Sequence, residues 1–263
     1  MENKTTRDID LSVELDGSPE EVFRAVADGT ELAKWLAPGA RVTPPEGEKK
    51  GTIWISWGEG MSVEHEIEIF DPPKRVRHPS GKNRETKAPL YADWLIEARK
   101  GGKATLRLVH SGFSVGADWD AEYEAHARGW RLMLQNLRQY FERHPHEPAA
   151  HLPFMSQVES PNRSVWKTLL GKFGLSPAPK AGDEFRFATP NGNTLTGVVD
   201  FVVEARALGL VVREYDDALL RFTLEGKADG PSTFVYGYAI AYGTEGDRAN
   251  ELVAAGNSAV SSG

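Results

Sequence analysis

The chain has 263 residues, 40% apolar and 26% charged, the balance of a globular protein and not of a disordered one. A net charge of −7 without a block of lysine or arginine removes the electrostatic footprint of a nucleic-acid binder, and the lack of cysteine removes disulfides, thiolate metal sites and a cysteine nucleophile. No run approaches the roughly 20 apolar residues of a membrane span, and the polar opening MENKTTRDIDLSVEL leads straight into structure, so a cytoplasmic protein without membrane insertion is expected.

Ile9, Leu11, Val13 and Leu15 alternate with polar residues, the period of a strand with one buried face. Ser18-Pro19-Glu20-Glu21 then has the form of a helix start, with serine as cap, proline in the first turn and a glutamate able to bond back to the cap. Val22, Phe23 and Val26 supply the buried side of this short helix, and Thr30 to Leu36 reads as a second one.

From Thr52 the pattern is β. Thr52–Trp57 and Met61–Phe70 form a hairpin across Glu59-Gly60, with Val63, His65, Ile67 and Ile69 inward and Glu64, Glu66 and Glu68 toward water. Asp71-Pro72-Pro73 is a turn, Arg75–Pro79 a short strand and Ser80–Lys87 a polar loop. Leu90–Arg99 and Lys103–Gly112 are two further strands, and alternation places His110 on the apolar face of the second while Asp93 of the first faces solvent.

Ala117 to His144 is the longest element. Tyr123, Ala127, Trp130, Met133, Leu134, Leu137, Tyr140 and Phe141 recur at steps of three or four, one stripe of an amphipathic helix that needs a sheet to cover it. The fold class expected is α+β: a curved antiparallel sheet gripping a long C-terminal helix.

After His144-Pro145-His146-Glu147-Pro148 the chain starts again in outline. Ser160-Pro161 before Val165-Trp166 echoes Ser18-Pro19 before Val22-Phe23, and strands follow at Asp183–Thr189, Thr194–Val203, Leu219–Glu225 and Phe234–Tyr242. The expected organisation is a first domain over 1–146, a linker over 147–153 and a shortened second copy over 154–263. The last stretch, Gly246–Val260, offers at best a stub of a closing helix, leaving the second sheet unlidded.

Several pieces together resemble one family: Ser-Pro-Glu-Glu-Val-Phe, Trp35, the Asp71-Pro72-Pro73 turn, Leu108-Val109-His110-Ser111-Gly112, and Gly129-Trp130 with Leu134 and Leu137. Residues 7–144 are similar to the START-like SRPBCC superfamily, in the branch named for homology to the activator of a heat-shock chaperone ATPase. The resemblance implies a helix-grip fold whose cavity holds lipids, polyketides or other apolar molecules, in some relatives with cyclase chemistry, and it does not imply chaperone activation.

Six of the seven tryptophans and three of the seven histidines fall in segments that surround such a cavity. The ligand-binding candidates are Trp35, Trp54, His65, Trp94, His110, His126, Trp130 and Leu134, with tryptophan and leucine as walls and histidine as polar anchor. The histidines come from scattered elements without metal-ligand spacing, so no metal is expected. The glycine-containing stretches read as hairpin turns, so no cofactor is expected either. The function these residues support is binding of a small hydrophobic molecule. Two alternatives stay open, a cyclase or dehydratase using a cavity histidine and an interaction module acting through the second sheet; a homodimer is also open.

Overall fold

A computed structural model describes residues 6–243 and 246–261. Met1–Thr5, the first part of the polar opening, and positions 244–245 and 262–263 within the expected second domain lie outside the described residues. The chain divides into two compact units, Met1–Pro145 and His146–Gly263.

The first unit opens with β1 (Thr6–Leu15) and α1 (Pro19–Ala27). The capping box forms as its residues dictate: Ser18 N–H donates to Glu21 Oε2 at 2.8 Å and Glu21 N–H to Ser18 Oγ at 3.3 Å. Asp28 caps the next helix, α2 (Gly29–Leu32), by accepting from the N–H groups of Thr30 and Glu31. The strands are β2 (Gly39–Thr43), β3 (Thr52–Ser56), β4 (Ser62–Glu66), β5 (Ile69–Asp71), β6 (Arg75–Lys82), β7 (Pro89–Ala98) and β8 (Ala104–Ser114), and α3 (Ala117–Arg143) closes the unit.

They build a five-stranded antiparallel sheet in the order β1-β8-β7-β6-β5 and a three-stranded one in the order β2-β3-β4. The stretch expected as one strand, Met61–Phe70, is divided between the two. Ile67 N–H donates to the Gly51 carbonyl and Glu68 N–H to the Arg77 carbonyl, both at 2.8 Å, so the chain passes from the small sheet to the large one within two residues. The expected loop at Ser80–Lys87 is also corrected, because β6 runs on to Lys82. Asn83 beyond it is buried, its amide donating to the Gly112 carbonyl and to Ser114 Oγ. Asp93 is not solvated as expected: it is buried in a bidentate pair with Arg75, at 2.9 and 2.6 Å.

Across the large sheet, α3 packs against β1 and β8. Ala127, Leu134, Leu137, Tyr140 and Phe141 of its stripe are buried. Gly17 lets the end of the helix close down, since a Cβ there would stand 2.5 Å from a Phe141 ring atom. Sheet and helix therefore form the grip expected from the stripe.

The second unit begins earlier than expected. The segment 147–153, expected as a linker, enters β9 (Ala149–Val158), which pairs residue for residue with a later strand. Pro153 is tolerated because β9 is the edge strand of its sheet. After α4 (Asn162–Lys172) come β10 (Glu184–Ala188), β11 (Thr194–Val203), β12 (Ala207–Val212), β13 (Ala218–Glu225) and β14 (Thr233–Tyr242). The sheet order is β10-β11-β12-β13-β14-β9. As in the first unit, the opening strand pairs with the last one and a helix follows, α5 (Asp247–Val260).

This copy is incomplete, with a closing helix of 14 residues where the first has 27. It is not unlidded, however, which corrects the expectation of a bare second sheet. Helix α5 packs on β9 and β14 and buries Ala249, Leu252, Ala255 and Ala259. Small residues suit it, because Phe154 of β9 stands in the space between sheet and helix. A Cβ at Gly237 of β14 would overlap the Phe154 ring, and one at Gly256 of α5 would lie 2.5 Å from it. Phe154 thus fills space between the second sheet and its closing helix.

Candidate functional site

Between α3 and the strands of the first unit lies a cavity of about 430 Å³. Trp57, Val63, Trp130 and Met133 form apolar walls, Gly129 leaves one side of the helix bare, and the polar lining comes from Ser80, His110 and His126. No Asp, Glu, Lys or Arg is among its described lining residues. A smaller hollow of about 40 Å³ adjoins it, sharing Leu36, Trp57, Val63, Ser80 and Trp130 and reaching His65, His78 and Trp94.

The centre of the site is His110 on β8, 1% exposed. Trp130 donates its indole N–H to His110 Nδ1 at 2.7 Å, so that nitrogen is an acceptor and the proton of the neutral ring sits on Nε2. Among the described residues His110 Nε2 has no hydrogen-bond partner. Its pKa is pushed down to about 3, first by burial, then by the neighbouring rings of His126 and His78; the nearby Ser80 backbone opposes this weakly, without hydrogen-bond geometry. His110 is therefore a neutral donor at any ordinary pH. A buried donor left unpaired costs on the order of 1–3 kcal/mol.

Two further histidines have their tautomers set by carbonyl groups. His78 Nδ1 donates to the Pro79 carbonyl at 2.7 Å, leaving Nε2 to accept the Trp94 indole N–H at 3.4 Å. Burial, above all, holds its pKa at about 4 against the pull of that carbonyl. His126 Nδ1 donates to the Glu122 carbonyl at 2.9 Å, one turn back along α3, and its ring centre lies 5.6 Å from that of His110. His65 lies in the smaller hollow with its Nε2 unpartnered among the described residues, and burial lowers its pKa.

Of the residues expected from sequence, the structure brings His110, His126 and Trp130 to the cavity and His65 and Trp94 to the hollow beside it. Three lie elsewhere. Trp35 is fully buried, its indole donating to the Ala25 carbonyl at 2.9 Å and its ring meeting Trp94 edge to face. Trp54 projects from the other face of β3, under the guanidinium of Arg41 at 4.7 Å, because Ile53 and Ile55 take the inward positions. Leu134 is buried against the sheet, and its neighbour Met133 faces the cavity instead.

Trp57, His78, Gly129 and the Ser80-Gly81 backbone were missing from the expected set. His78 lies in the expected short strand Arg75–Pro79, whereas Ser80 and Gly81 fall in the expected loop, which the structure makes part of β6. Among the described residues no group of three or more His, Cys, Asp or Glu side chains is placed to hold a metal ion. No described helix is long and apolar enough to cross a membrane.

Sheet, long helix and interposed cavity define the first unit as a helix-grip, START-like domain of the α+β class. Residues 16–142 match the family described as Activator of Hsp90 ATPase homolog 1-like protein, so the first unit is a domain of that family, in agreement with the resemblance in its motifs. A fold of this type points to a domain for hydrophobic ligands. No curated protein matches the chain.

Among solved structures, the chain is similar to the di-domain ARO/CYC BexL from the BE-7585A biosynthetic pathway, at 15% identity over 98% of this chain and 100% of that one, TM-score 0.45. It is similar also to the di-domain ARO/CYC StfQ from the steffimycin biosynthetic pathway, at 11% identity over 93% and 90%, TM-score 0.42. The Aha1 dimer from Colwellia psychrerythraea aligns at 19% identity over 52% of this chain and 96% of that one, TM-score 0.41.

Proposed function

We propose that the first unit binds a small, neutral, flat hydrophobic molecule, lipid- or polyketide-like, in the cavity between α3 and the sheet, with the His110 Nε2–H as its polar anchor. The observation that carries this reading is the unpartnered donor of His110, its tautomer set by Trp130, at a cavity without charged lining. An uncharged cavity favours an uncharged guest, since an ion there would lose its hydration without a partner. Trp57 and Trp130 offer faces for an aromatic or polycyclic body. The guest needs an acceptor, such as a ketone oxygen, to meet His110.

Binding is favoured over acid–base catalysis. His110, with its pKa near 3, is a poor base at neutral pH, and among the described residues no carboxylate lines the cavity to work with His126. The test is titration of the full chain with 9-fluorenone, a neutral tricyclic ketone, and with fluorene, the same frame without the carbonyl, following tryptophan fluorescence. The ketone should bind about tenfold more tightly, the worth of one neutral hydrogen bond, and His110→Phe should erase that preference. Equal binding of the two probes to the unmodified protein removes His110 as anchor, and binding of neither removes the reading.

A further inference from the structure

The second unit carries a cleft of its own beside α4. It measures about 770 Å³ and opens beside the helix. Val165, Trp166, Leu169 and Leu170 of α4 all belong to the core of the unit. Trp166 and Leu170 border the cleft at the edge of that core, with Leu175 beyond the helix end, and make its lining apolar. Gly171 lies along the same side, and a Cβ there would meet nothing within 4 Å, so the helix presents a gap where a side chain would otherwise fill the space.

The polar features of the cleft have one sign in excess. Arg163 and Lys167, one turn apart on the exposed side of α4, both line it, and among the described residues neither is in an ion pair. Glu204, in the turn between β11 and β12, is the one carboxylate of the lining, leaving a net positive rim. Trp166 is 5% exposed, and its indole N–H has no partner among the described residues. An apolar lining, two exposed cations outside any described ion pair and an indole N–H without a described partner, all at one cleft, fit a ligand with an apolar stem and an anionic head.

We propose that this cleft is a second ligand site, independent of the cavity in the first unit, for a single-chain amphiphile with a carboxylate head. The chain lies over Trp166, Leu170 and Leu175. The carboxylate sits at the Arg163 and Lys167 end of the cleft and shifts the environment of the Trp166 indole.

The test uses the full chain labelled with ¹⁵N-tryptophan, the Trp166 indole signal being assigned by its loss in Trp166→Phe. Dodecanoate, kept below its micellar range, should move that signal saturably. The double charge reversal Arg163→Glu with Lys167→Glu should weaken the effect by about tenfold, as expected for two exposed charges acting together. Gly171→Leu, which fills the gap without removing a contact, should abolish it. The proposal is overturned if dodecyltrimethylammonium moves the signal as strongly as dodecanoate, if the double reversal or Gly171→Leu leaves the response intact, or if dodecanoate moves only tryptophan signals of the first unit. That last result would place the amphiphile in the first cavity and leave the reading of that cavity standing.

Discussion

Gly129 gives the sharpest handle on the cavity. It lies inside α3 and lines the hollow, and a Cβ built on it meets nothing within 4 Å. A glycine inside a helix costs about 0.8–1 kcal/mol relative to a good helix former, so Gly129→Leu recovers most of that term. The leucine side chain also enters an apolar space, where full burial would be worth about 1.5–3 kcal/mol and partial burial less. Together these stabilise the unit by about 2 kcal/mol, a rise of roughly 4–8 °C in the melting temperature of a domain this size. The same side chain occupies the space proposed for the ligand. Thermal melts and 9-fluorenone titrations of Gly129→Leu should therefore move in opposite directions, higher Tm and lost binding, while Gly129→Ala gains about 0.8 kcal/mol and keeps its binding. A lower Tm for Gly129→Leu would show the space to be filled already, and an unchanged fluorenone affinity would show that the probe sits elsewhere.

Acid should destabilise the first unit through His78 and His110. Unfolded histidines take up protons near pH 6.5, whereas the folded ones do so only at about 4 and about 3. Between those limits the unfolded chain holds more protons, so stability is complete above pH 6.5 and falls as the pH drops, by roughly 2.5 kcal/mol per histidine at pH 4.5. Urea melts at pH 7 and 4.5 read this directly, and His110→Phe should flatten the dependence. In the second unit Gly237→Ala should cost on the order of 1–3 kcal/mol by forcing its Cβ into Phe154, and a second change, Phe154→Leu, should return part of it. Finally, Trp130→Phe removes the donor that holds the His110 tautomer, so ¹⁵N chemical shifts of the imidazole should turn from a pure Nε2–H form to a mixture.

The elements that local chemistry defines were legible in the sequence. The Ser18 and Glu21 capping box, the α3 stripe and the alternation that turned His110 inward each depend on neighbours within one or two turns or strand residues. What escaped depends on distant partners. The first half of β9 falls in the expected linker because His144-Pro145-His146-Glu147-Pro148 just before it has a linker's composition, and its ladder is made with β14, some 80 residues on. The division at Ile67 and Glu68 leaves no mark in an alternation that continues unbroken through it. Trp54 was a different kind of miss: the inward isoleucines on either side of it already assigned it to the outer face, and aromatic crowding outweighed that signal. Leu134 and Met133 share one stripe, and only the position of the sheet decides which of them meets packed side chains and which meets open space.

Phe154 has one more implication. In the second grip a single ring stands between sheet and closing helix, filling that space with the protein's own substance, whereas the first keeps a vacant chamber beside α3. Trimming that ring to alanine, as in Phe154→Ala, would unseal an apolar void bounded by Gly237 and Gly256, and such voids stay dry and admit xenon or benzene. One codon would then add an apolar chamber beneath the closing helix of the second unit.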